Sequence, residues 1–555
     1  MIPRFNVATA LVAAASCALS VNAISKVTRS GRYLYTDDGN RFYIKGIAYQ
    51  EQAGVVVEDP NNPFGEPSSF FDPLSDADAC ARDVPLLRDL GVNTVRVYSV
   101  DSTKNHDSCM KALSDAGIYT MIDLSLPLNG SIDRTSPSWS TNLLNQYLTT
   151  IDVFSKYDNV LGYNVANEAV LSDGTAISPY IKAAARDVKA YLKSKSSSAL
   201  VGYAAIDGDP SWRNALADYL SCDPSGSNSE ATSIDIYGLN NYEWCGDSTF
   251  QNSYAGTTSD YENYNVVAYF SEFGCVREPP RLWTEVEPLF STQMSDVWSG
   301  GIAFSYFPAQ SADGQFGMVT ISSDGKTVTP SADFDRLKNM YGNATGPNTP
   351  SSGSATATYP ACSPTTSAFV ASTTLPATPN EAACNCLEST LSCRFTPQTA
   401  NYSAVLGQLV GTACGLLSQK SITCDDIGGN GQTGTYGRLS GCDPSIKLSY
   451  VMSEFYEASN RDPNTCMFAG NATVNPLAPS SASAANAAAS SCISDPSATF
   501  TPGTPSNSVG GGSSNGGSSS GGSNGAIALV GDNNAIYGMV GVVAMGVLSA
   551  VWTLF

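Results

Sequence analysis

Short apolar runs alternate with longer amphipathic segments from Phe42 to about residue 340. Apolar runs of about five to eight residues are typical of buried strands, and apolar positions recurring every three or four residues indicate helices. The pattern predicts strands at Phe42–Ile47, Thr94–Tyr98, Tyr119–Leu124, Leu161–Asn167, Leu200–Ala204, Ile234–Asn241, Val266–Glu272 and Ile302–Phe307. It predicts helices at Asp76–Leu90, His106–Ala116, Asn142–Lys156, Ile181–Ser194, Trp283–Trp298 and Ala332–Met340.

This alternation is typical of βα units that build a parallel sheet. Eight predicted strands match the number in a closed (β/α)₈ barrel. The alternative is an open doubly wound sheet, which would require a glycine-rich phosphate-binding turn after its first strand. The residues at that position, Gly46-Ile47-Ala48-Tyr49-Gln50, do not form such a motif. We therefore predict an α/β fold built on a (β/α)₈ TIM barrel.

The composition changes after the predicted barrel. Residues 346–383 are rich in Pro, Ser and Thr and predict an extended linker, which Cys362 ties back to a folded part. Residues 384–492 hold eight cysteines and no long apolar run, so we predict a small, disulfide-rich, largely helical module whose bridges supply much of its stability. Residues 493–525 are predicted to be a Ser/Gly-rich tether.

Both termini carry targeting patterns. Arg4, the apolar run from Val7 to Val21 and the small-x-small end at Ala23 predict a secretory signal peptide over residues 1–23. At the other end, a small triplet from Asn524, a spacer and an apolar tail predict a GPI-attachment signal, with residues 526–555 removed and Asn524 as the anchor residue. A transmembrane anchor is the alternative, but no Lys or Arg follows the tail.

Charge and cysteine usage narrow the possible partners. The chain has 29 basic and 50 acidic residues, a net charge of −21, so nucleic acid and anionic membrane surfaces are poor partners, whereas a neutral polysaccharide suits an acidic surface with 27 tyrosines. Loss of Cys17 with the signal leaves fourteen of fifteen cysteines, an even number that favours disulfides in a secreted protein. His106 is the single histidine, so a His-ligated zinc is disfavoured, and we expect no metal and no cofactor.

Two predicted strands end in a carboxylate. Glu168 follows the fourth strand and Glu272 ends the seventh. In a parallel barrel the C-terminal ends of the strands lie on the face where active sites form. A pair of carboxylates at this face is typical of the catalytic groups of glycoside hydrolases. Taken singly, either glutamate could be an ordinary surface charge. We predict that Glu168 donates the proton because Asn167 beside it can bind the neighbouring sugar hydroxyl.

Glu272 would then need a lowered pKa. Tyr242 near the sixth strand and Arg96 on the second are donors that could hold it ionised, although packing and a structural salt bridge are the alternative roles for these two residues. Opposite pKa shifts on the two acids would separate their roles.

The motifs Asn167-Glu168 and Ser271-Glu272-Phe273-Gly274 resemble the retaining clan of (β/α)₈ glycosidases. Within that clan, residues 42–50, 93–98, 163–168 and 241–246 resemble the fungal GPI-anchored β-1,3-glucanosyltransferases, glycoside hydrolase family 72. The eight-cysteine region resembles the family's appended carbohydrate-binding module of family 43. The likeness to the catalytic domain covers residues 24–345.

The resemblance implies an enzyme that cleaves a β-1,3-glucan internally by a retaining double displacement. It then transfers the new reducing end, held on the enzyme, to the non-reducing end of another β-1,3-glucan. The implied partners are glucan donor and acceptor chains, cell-wall polysaccharide through the module, and the outer face of the plasma membrane through the GPI anchor.

The resemblance also implies residue roles. Glu168 is the expected acid/base, Glu272 the nucleophile and Arg96 its support. Residues expected to line glucan subsites are Gln50, Tyr98, Asp123, Asn167, Tyr242 and Tyr306, with Gln52 or Asp101 as alternatives to Gln50 and Asp123. Expected disulfides are Cys80–Cys109, Cys222–Cys362 and Cys245–Cys275, and expected glycosylation sites, any of which could be unoccupied, are Asn129, Asn343, Asn401 and Asn471.

Two other functions remain open at this stage. A hydrolytic endo-β-1,3-glucanase could use the same barrel, with water in place of the acceptor sugar. Stacking platforms at Tyr98, Tyr242, Trp244 and Tyr306 would instead favour an acceptor and exclude water. A non-catalytic wall-binding protein is a further alternative, which the presence of both glutamates disfavours.

Overall fold

The computed structural model describes residues 24–53, 69–127, 130–311, 313–354, 356–398 and 402–505. Its centre is a closed barrel of eight parallel strands, preceded by one antiparallel pair. These ten strands are β1 Val27–Ser30, β2 Tyr33–Thr36, β3 Ile44–Ala48, β4 Thr94–Val97, β5 Tyr119–Asp123, β6 Val160–Asn167, β7 Leu200–Ile206, β8 Ile236–Asn240, β9 Val267–Phe273 and β10 Trp298–Ala303. From β3 to β10, successive strands are neighbours, and β10 pairs with β3 to close the barrel. The predicted fold class is confirmed.

Helices surround the barrel and bury their apolar faces against it. α1 shows the local signals clearly: the Asp76 carboxylate accepts hydrogen bonds from the first backbone N–H groups, and Gly91 ends the helix with φ of 80°. The helices of this region are α1 Ala77–Leu90, α2 Asp107–Asp115, α3 Thr141–Phe154, α4 Ser178–Ser194, α5 Pro210–Ser221, α6 Phe250–Ser253, α7 Ala255–Asp260, α8 Val286–Leu289 and α9 Ala332–Asn343. Four short strands before α9 form two hairpins: β11 Gln310–Ser311, β12 Gly314–Gln315, β13 Val319–Ile321 and β14 Val328–Pro330.

The predicted strand Ile302–Phe307 is wrong, because the eighth barrel strand lies four residues earlier, at Trp298–Ala303. Glycines usually weaken a strand, so the sequence pattern excluded Gly300. Here a Cβ on Gly300 would overlap the carbonyl oxygen of Ile44 on β3, and its φ is 92°. Glycine therefore allows β10 to approach β3 closely enough to close the barrel.

The predicted helix Trp283–Trp298 is also wrong. Trp283 has φ of 60°, which a helix excludes, and only the short α8 forms in this region. The indole of Trp283 is buried and donates to Asp333 on α9. Burial of this side chain thus decides the backbone here, against the apolar periodicity.

Residues 346–354 and 356–380 form an extended segment that packs along the barrel. Tyr35 and Tyr43 donate hydrogen bonds to the backbone carbonyls of Pro350 and Pro347. Phe369 is buried in the main core, and Tyr219 of α5 lies against its ring. The segment predicted to be a linker is therefore held to the barrel along its length.

The C-terminal region forms a second core. Its elements are α10 Glu381–Thr390, β15 Cys393–Phe395, α11 Ser403–Ser418, β16 Gly429–Asn430, β17 Thr435–Tyr436, α12 Pro444–Ala458, β18 Ala472–Val474 and α13 Ala482–Cys492. Four disulfides cross-link it, Cys384–Cys442, Cys386–Cys492, Cys393–Cys466 and Cys414–Cys424. The first part of the predicted tether continues the fold, because Ala498 accepts a hydrogen bond from the Thr378 backbone.

Three disulfides lie on the barrel side: Cys80–Cys109, Cys222–Cys362 and Cys245–Cys275. The first joins α1 to α2, and the second ties the extended segment to the end of α5. The third links the loops that follow β8 and β9 beside the barrel mouth. The exact limits of the domains stay a prediction.

Several predicted features fall outside the described residues: the signal peptide over 1–23, the sequons at Asn129 and Asn401, and the anchor residue Asn524 with the segment 526–555. Asn343 is exposed at the end of α9, and Asn471 is half-buried in the second core. Across the described ranges, no helix combines the length and the apolar character that a bilayer crossing requires.

The second core contacts the barrel through close backbone approach. A Cβ on Gly431 would overlap the carbonyl oxygen of Ala176 in the loop before α4, and Tyr436 lies edge-on to Tyr180 at 5.6 Å. Lys447 reaches the Ser138 hydroxyl at 3.1 Å, and burial lowers its pKa to about 8. These contacts fix the module directly against the α3 and α4 side of the barrel.

We predict that Gly431→Ala destabilises the protein by about 1–3 kcal/mol, because the added methyl group forces the module away from Ala176. Thermal unfolding by calorimetry measures the effect. Gly428→Ala is the matched control: a Cβ there lies 3.8 Å from its nearest neighbour, so it should change stability by less than about 0.5 kcal/mol. Equal unfolding temperatures for the two variants would contradict this interface.

Candidate active site

The two glutamates lie at the C-terminal end of the barrel. Glu168 directly follows β6, and Glu272 belongs to the last part of β9. Glu272 is only 8% exposed, and Glu168 is half-buried. Parallel strands all end on this face, which is why residues 104 positions apart in the chain meet there.

Arg96 on β4 occupies the centre of the site and is completely buried. Its guanidinium binds both carboxylate oxygens of Asp123, at 2.7 and 3.3 Å. It also donates to Asn167 Oδ1 at 2.8 Å and to Glu272 Oε1 at 3.3 Å. A planar group with five donors can hold several acceptors in fixed positions at once, and Arg96 uses this geometry to join four strands.

Glu272 accepts hydrogen bonds from three side chains. Besides Arg96, the hydroxyls of Tyr98 and Tyr242 donate to its two oxygens, each at 2.8 Å. Burial nevertheless raises the pKa of Glu272 to about 7, with Arg96 and the two tyrosines opposing that rise and Glu168 adding to it. The expected lowering of its pKa is therefore not found, because desolvation outweighs the donors.

Glu168 has one amide donor and an unusual backbone. Asn240 Nδ2 donates to its Oε1 at 2.8 Å, and burial raises its pKa. Its φ of 48° lies in the left-handed region, which non-glycine residues seldom adopt. Its N–H donates to Ala204 on β7, and Arg134 donates to its carbonyl at 3.2 Å. Both sides of the strained peptide are thus held.

The structure brings Tyr98, Asn167, Tyr242 and Arg96 to the two glutamates, whereas Gln50 and Asp123 contact the residues around them. Gln50 Oε1 accepts from the backbone N–H groups of Tyr98 and Ser99. Asp123 is buried against Arg96 and also accepts from Asn164. These two side chains position the residues around them, and their predicted contact with a glucan stays a prediction.

Tyr306 does not reach the site, contrary to its predicted position. Its side chain is fully buried, and its hydroxyl donates to Asp83 on α1 at 3.0 Å. The four-residue displacement of β10 is the cause. The aromatic residue that instead reaches the site is Phe304, half-buried and edge-on to Tyr98 at 6.3 Å.

Trp244 is likewise not exposed, so a sugar cannot stack on its ring as predicted. It is 5% exposed, donates to Thr284 and packs on Tyr254. In the described part of the chain, His, Cys, Asp and Glu side chains form no group of three or more that could hold a metal ion.

Sequence reasoning missed Asn240 and Ser271. Asn240 ends β8 and contacts Glu168, while the Ser271 hydroxyl donates to Asn240 Oδ1 at 2.7 Å. A polar residue at the end of a predicted barrel strand is the available signal, since that position faces the mouth. Asn240 lies only two residues before Tyr242, which the sequence did indicate.

Comparisons with known proteins agree with this geometry. A glucanosyltransferase family model matches residues 13–345, more than half of the chain. The chain belongs to the glucanosyltransferase family, glycoside hydrolase family 72. An X8 domain model matches residues 391–473, which places the second core in that domain class.

Individual glucanosyltransferases show the same relationship over both regions. The chain is 38% identical to 1,3-beta-glucanosyltransferase gas1 of Schizosaccharomyces pombe over 471 residues, 84% of this chain and 81% of that protein. It is 38% identical to 1,3-beta-glucanosyltransferase GAS2 of Saccharomyces cerevisiae, over 77% of this chain and 75% of that one. A mutant of Saccharomyces cerevisiae Gas2p in complex with laminaritetraose and laminaripentaose superposes with a TM-score of 0.73 at 33% identity, over 84% of this chain and 99% of that one.

We predict that Tyr242→Phe raises the pKa of Glu272 by about one pH unit, because one hydrogen bond to its carboxylate is lost. As the solution is acidified, Glu272 in the variant then becomes protonated at a higher pH than in the wild type. Carbon-13 NMR titration of labelled glutamate carboxyls measures this. Tyr237→Phe, on the same side of the barrel but bonded to Tyr261, is the control and should leave the titration unchanged. Identical curves for Tyr242→Phe and the wild type would refute the donor role.

Proposed function

We propose that this chain is a 1,3-β-glucanosyltransferase that lengthens one β-1,3-glucan with a segment cut from another. The assignment rests on one observation: the two glutamates accept hydrogen bonds from different numbers of donors. Glu272 receives three donors, which favour its ionised form, and Glu168 receives one amide. Burial raises the pKa of both glutamates, so the number of donors, rather than the direction of the pKa shift, separates the roles: Glu272, which has more donors to its carboxylate, is the nucleophile, and Glu168 is the acid.

In the first step, a Glu272 carboxylate oxygen attacks the anomeric carbon of the bound glucan. The bond from that carbon to the glycosidic oxygen breaks, and the proton of Glu168 passes to this oxygen. The reducing-end portion leaves, and the remaining portion stays as an ester on Glu272. Glu272 loses its negative charge as Glu168 gains one, so the two carboxylates, each of which opposes ionisation of the other, are not charged together.

In the second step, a hydroxyl of an acceptor glucan attacks the same carbon. Glu168 takes the hydroxyl proton, and the bond to Glu272 breaks. Water at about 55 M competes for this step, so the acceptor needs a large effective molarity from binding. The ring of Tyr98 lies beside the Glu272 carboxylate and that of Phe304 is edge-on to Tyr98, so sugar faces can stack on these rings.

Asn167 supports the sugar next to the reacting carbon. Its Oδ1 is engaged by Arg96 and Asn240, which turns its Nδ2 group away from both donors. The amide NH₂ group of Asn167 can then donate to the sugar hydroxyl beside the anomeric carbon. This contact strengthens in an oxocarbenium-like transition state.

Glu168→Gln and Glu272→Gln should each reduce glucan cleavage by at least about 10³-fold while the protein remains folded. Incubation of the wild type with a reduced laminari-oligosaccharide, followed by product sizing, should give chains longer than the substrate. If only shorter chains appear, the protein is a hydrolytic endo-β-1,3-glucanase. If neither longer nor shorter chains appear, a wall-binding role replaces the enzyme.

The X8 module and the terminal segments set where the enzyme acts. We propose that the module binds cell-wall polysaccharide and, being packed against the barrel, presents the wall glucan to the same molecule that cuts it. The glycans proposed at Asn129, Asn343, Asn401 and Asn471 are consistent with the extracellular wall. The fourteen cysteines of residues 24–555 also fit an oxidising compartment.

We propose that the chain is held at the outer face of the plasma membrane by a GPI anchor at Asn524. A phosphatidylinositol-specific phospholipase should therefore release the mature protein from intact cells into the medium. Retention after this treatment, with release only by detergent, would indicate a transmembrane tail instead. Immunoblots of supernatant and membrane fractions distinguish the two outcomes.

A further inference from the structure

The side chain of Asn240 forms hydrogen bonds with four residues of the active site. Its Nδ2 donates to Glu168 Oε1 at 2.8 Å and to Asn167 Oδ1 at 3.2 Å. Its Oδ1 accepts from Ser271 and from Arg96. We propose that Asn240 is a positioning residue that determines which oxygen of Glu168 carries the catalytic proton. This inference rests on the proposed function and adds a role for strand β8.

The orientation of the Asn240 amide is fixed by chemistry. Arg96 Nη1 lies 3.4 Å from one end of the amide, and a guanidinium has no acceptor. That end must therefore be the oxygen, and the Ser271 hydroxyl donates to the same atom at 2.7 Å. The NH₂ group then has to face Glu168. A flipped amide would place N–H donors against Arg96 and an oxygen against the carboxylate.

This orientation has a consequence for the proton. The amide NH₂ group of Asn240 can only donate a hydrogen bond, so Glu168 Oε1 must accept it. When Glu168 is protonated, its hydrogen therefore resides on Oε2, the oxygen that is not turned toward β8. A hydrogen on Oε1 would point at Asn240 and could not reach the glycosidic oxygen. The same hydrogen bond stabilises the carboxylate that Glu168 becomes after the first step.

A glycine on β8 makes room for this arrangement. A Cβ on Gly238 would lie 2.5 Å from both the Cβ and the hydroxyl oxygen of Ser271. Any larger residue there would push the Ser271 hydroxyl away from Asn240. Gly238, Asn240 and Ser271 thus act as one unit, and its effect on the reaction passes through Glu168.

The test compares two substrates that differ in their need for an acid. A laminari-oligosaccharide needs its leaving oxygen protonated, whereas β-laminaribiosyl fluoride loses fluoride without that help. For Asn240→Ala, kcat/KM on the oligosaccharide should fall by about 10²-fold, the lower end of what general acid catalysis contributes. The initial rate of fluoride release should fall by less than about fivefold, since that step bypasses the proton.

The pH dependence gives a second readout. Without the amide donor, the Glu168 carboxylate is less stable, so its pKa rises. The alkaline limb of kcat/KM for the oligosaccharide should move to higher pH by about one unit in Asn240→Ala. Asn240→Asp keeps the size of the side chain but shares a proton with Oε1, and it should show the same split between the two substrates.

Two further variants complete the experiment. Asn265→Asp is the control, since Asn265 also donates two hydrogen bonds, to the carbonyls of Ser221 and Thr358, but lies just before β9, at the end of the barrel away from the site. Ser271→Ala removes only the hydroxyl that orients Asn240 and should give a smaller loss in the same direction. It also serves if an Asn240 variant fails to fold, as monitored by circular dichroism.

Equal losses on both substrates, or an unshifted alkaline limb, would overturn the role of Asn240 and leave the proposed function intact. A wild-type protein that neither cleaves the oligosaccharide nor releases fluoride from the glycosyl fluoride, and that extends no glucan, would instead overturn the proposed function itself.

Discussion

The buried guanidinium of Arg96 is the interaction on which the active site depends. It compensates two buried acids, Asp123 and Glu272, whose charges would otherwise be costly away from water. Removing one partner of such a group typically costs 3–5 kcal/mol, because the other charge is left buried and unpaired. The same cation orients the amides of Asn167 and Asn240. One side chain on β4 thus fixes polar groups on β5, β6, β8 and β9.

The second constraint is the left-handed backbone of Glu168. Such a conformation costs on the order of 1–3 kcal/mol, and it persists only where surrounding contacts impose it. Here β7 and Arg134 hold the peptide on both sides. This backbone conformation places the Glu168 side chain against Asn240. Flexible loops could not maintain that orientation, whereas a closed ring of strands can.

The parts of the chain outside the barrel are joined to it more closely than their composition indicates. The Pro/Ser/Thr segment follows the barrel surface through backbone hydrogen bonds and the buried ring of Phe369. It leads to an X8 module that touches α3 and α4 through glycine backbone. A module fixed in this way holds a bound polysaccharide at a constant position relative to the cleft. A loosely tethered module would only raise its local concentration.

The sequence by itself determined the (β/α)₈ barrel, the disulfide-rich module and the pair Glu168 and Glu272, because apolar periodicity and cysteine spacing are local signals. It also pointed to Arg96, Tyr98, Asn167 and Tyr242 through family resemblance. Only the tertiary structure decided that β10 begins at Trp298, that Phe304 replaces Tyr306, and that Gln50 and Asp123 support their neighbours. It alone showed Asn240 bonded to Glu168 and a raised pKa for Glu272. These features depend on close backbone approach and on burial, which arise from residues far apart in the chain and leave no local pattern.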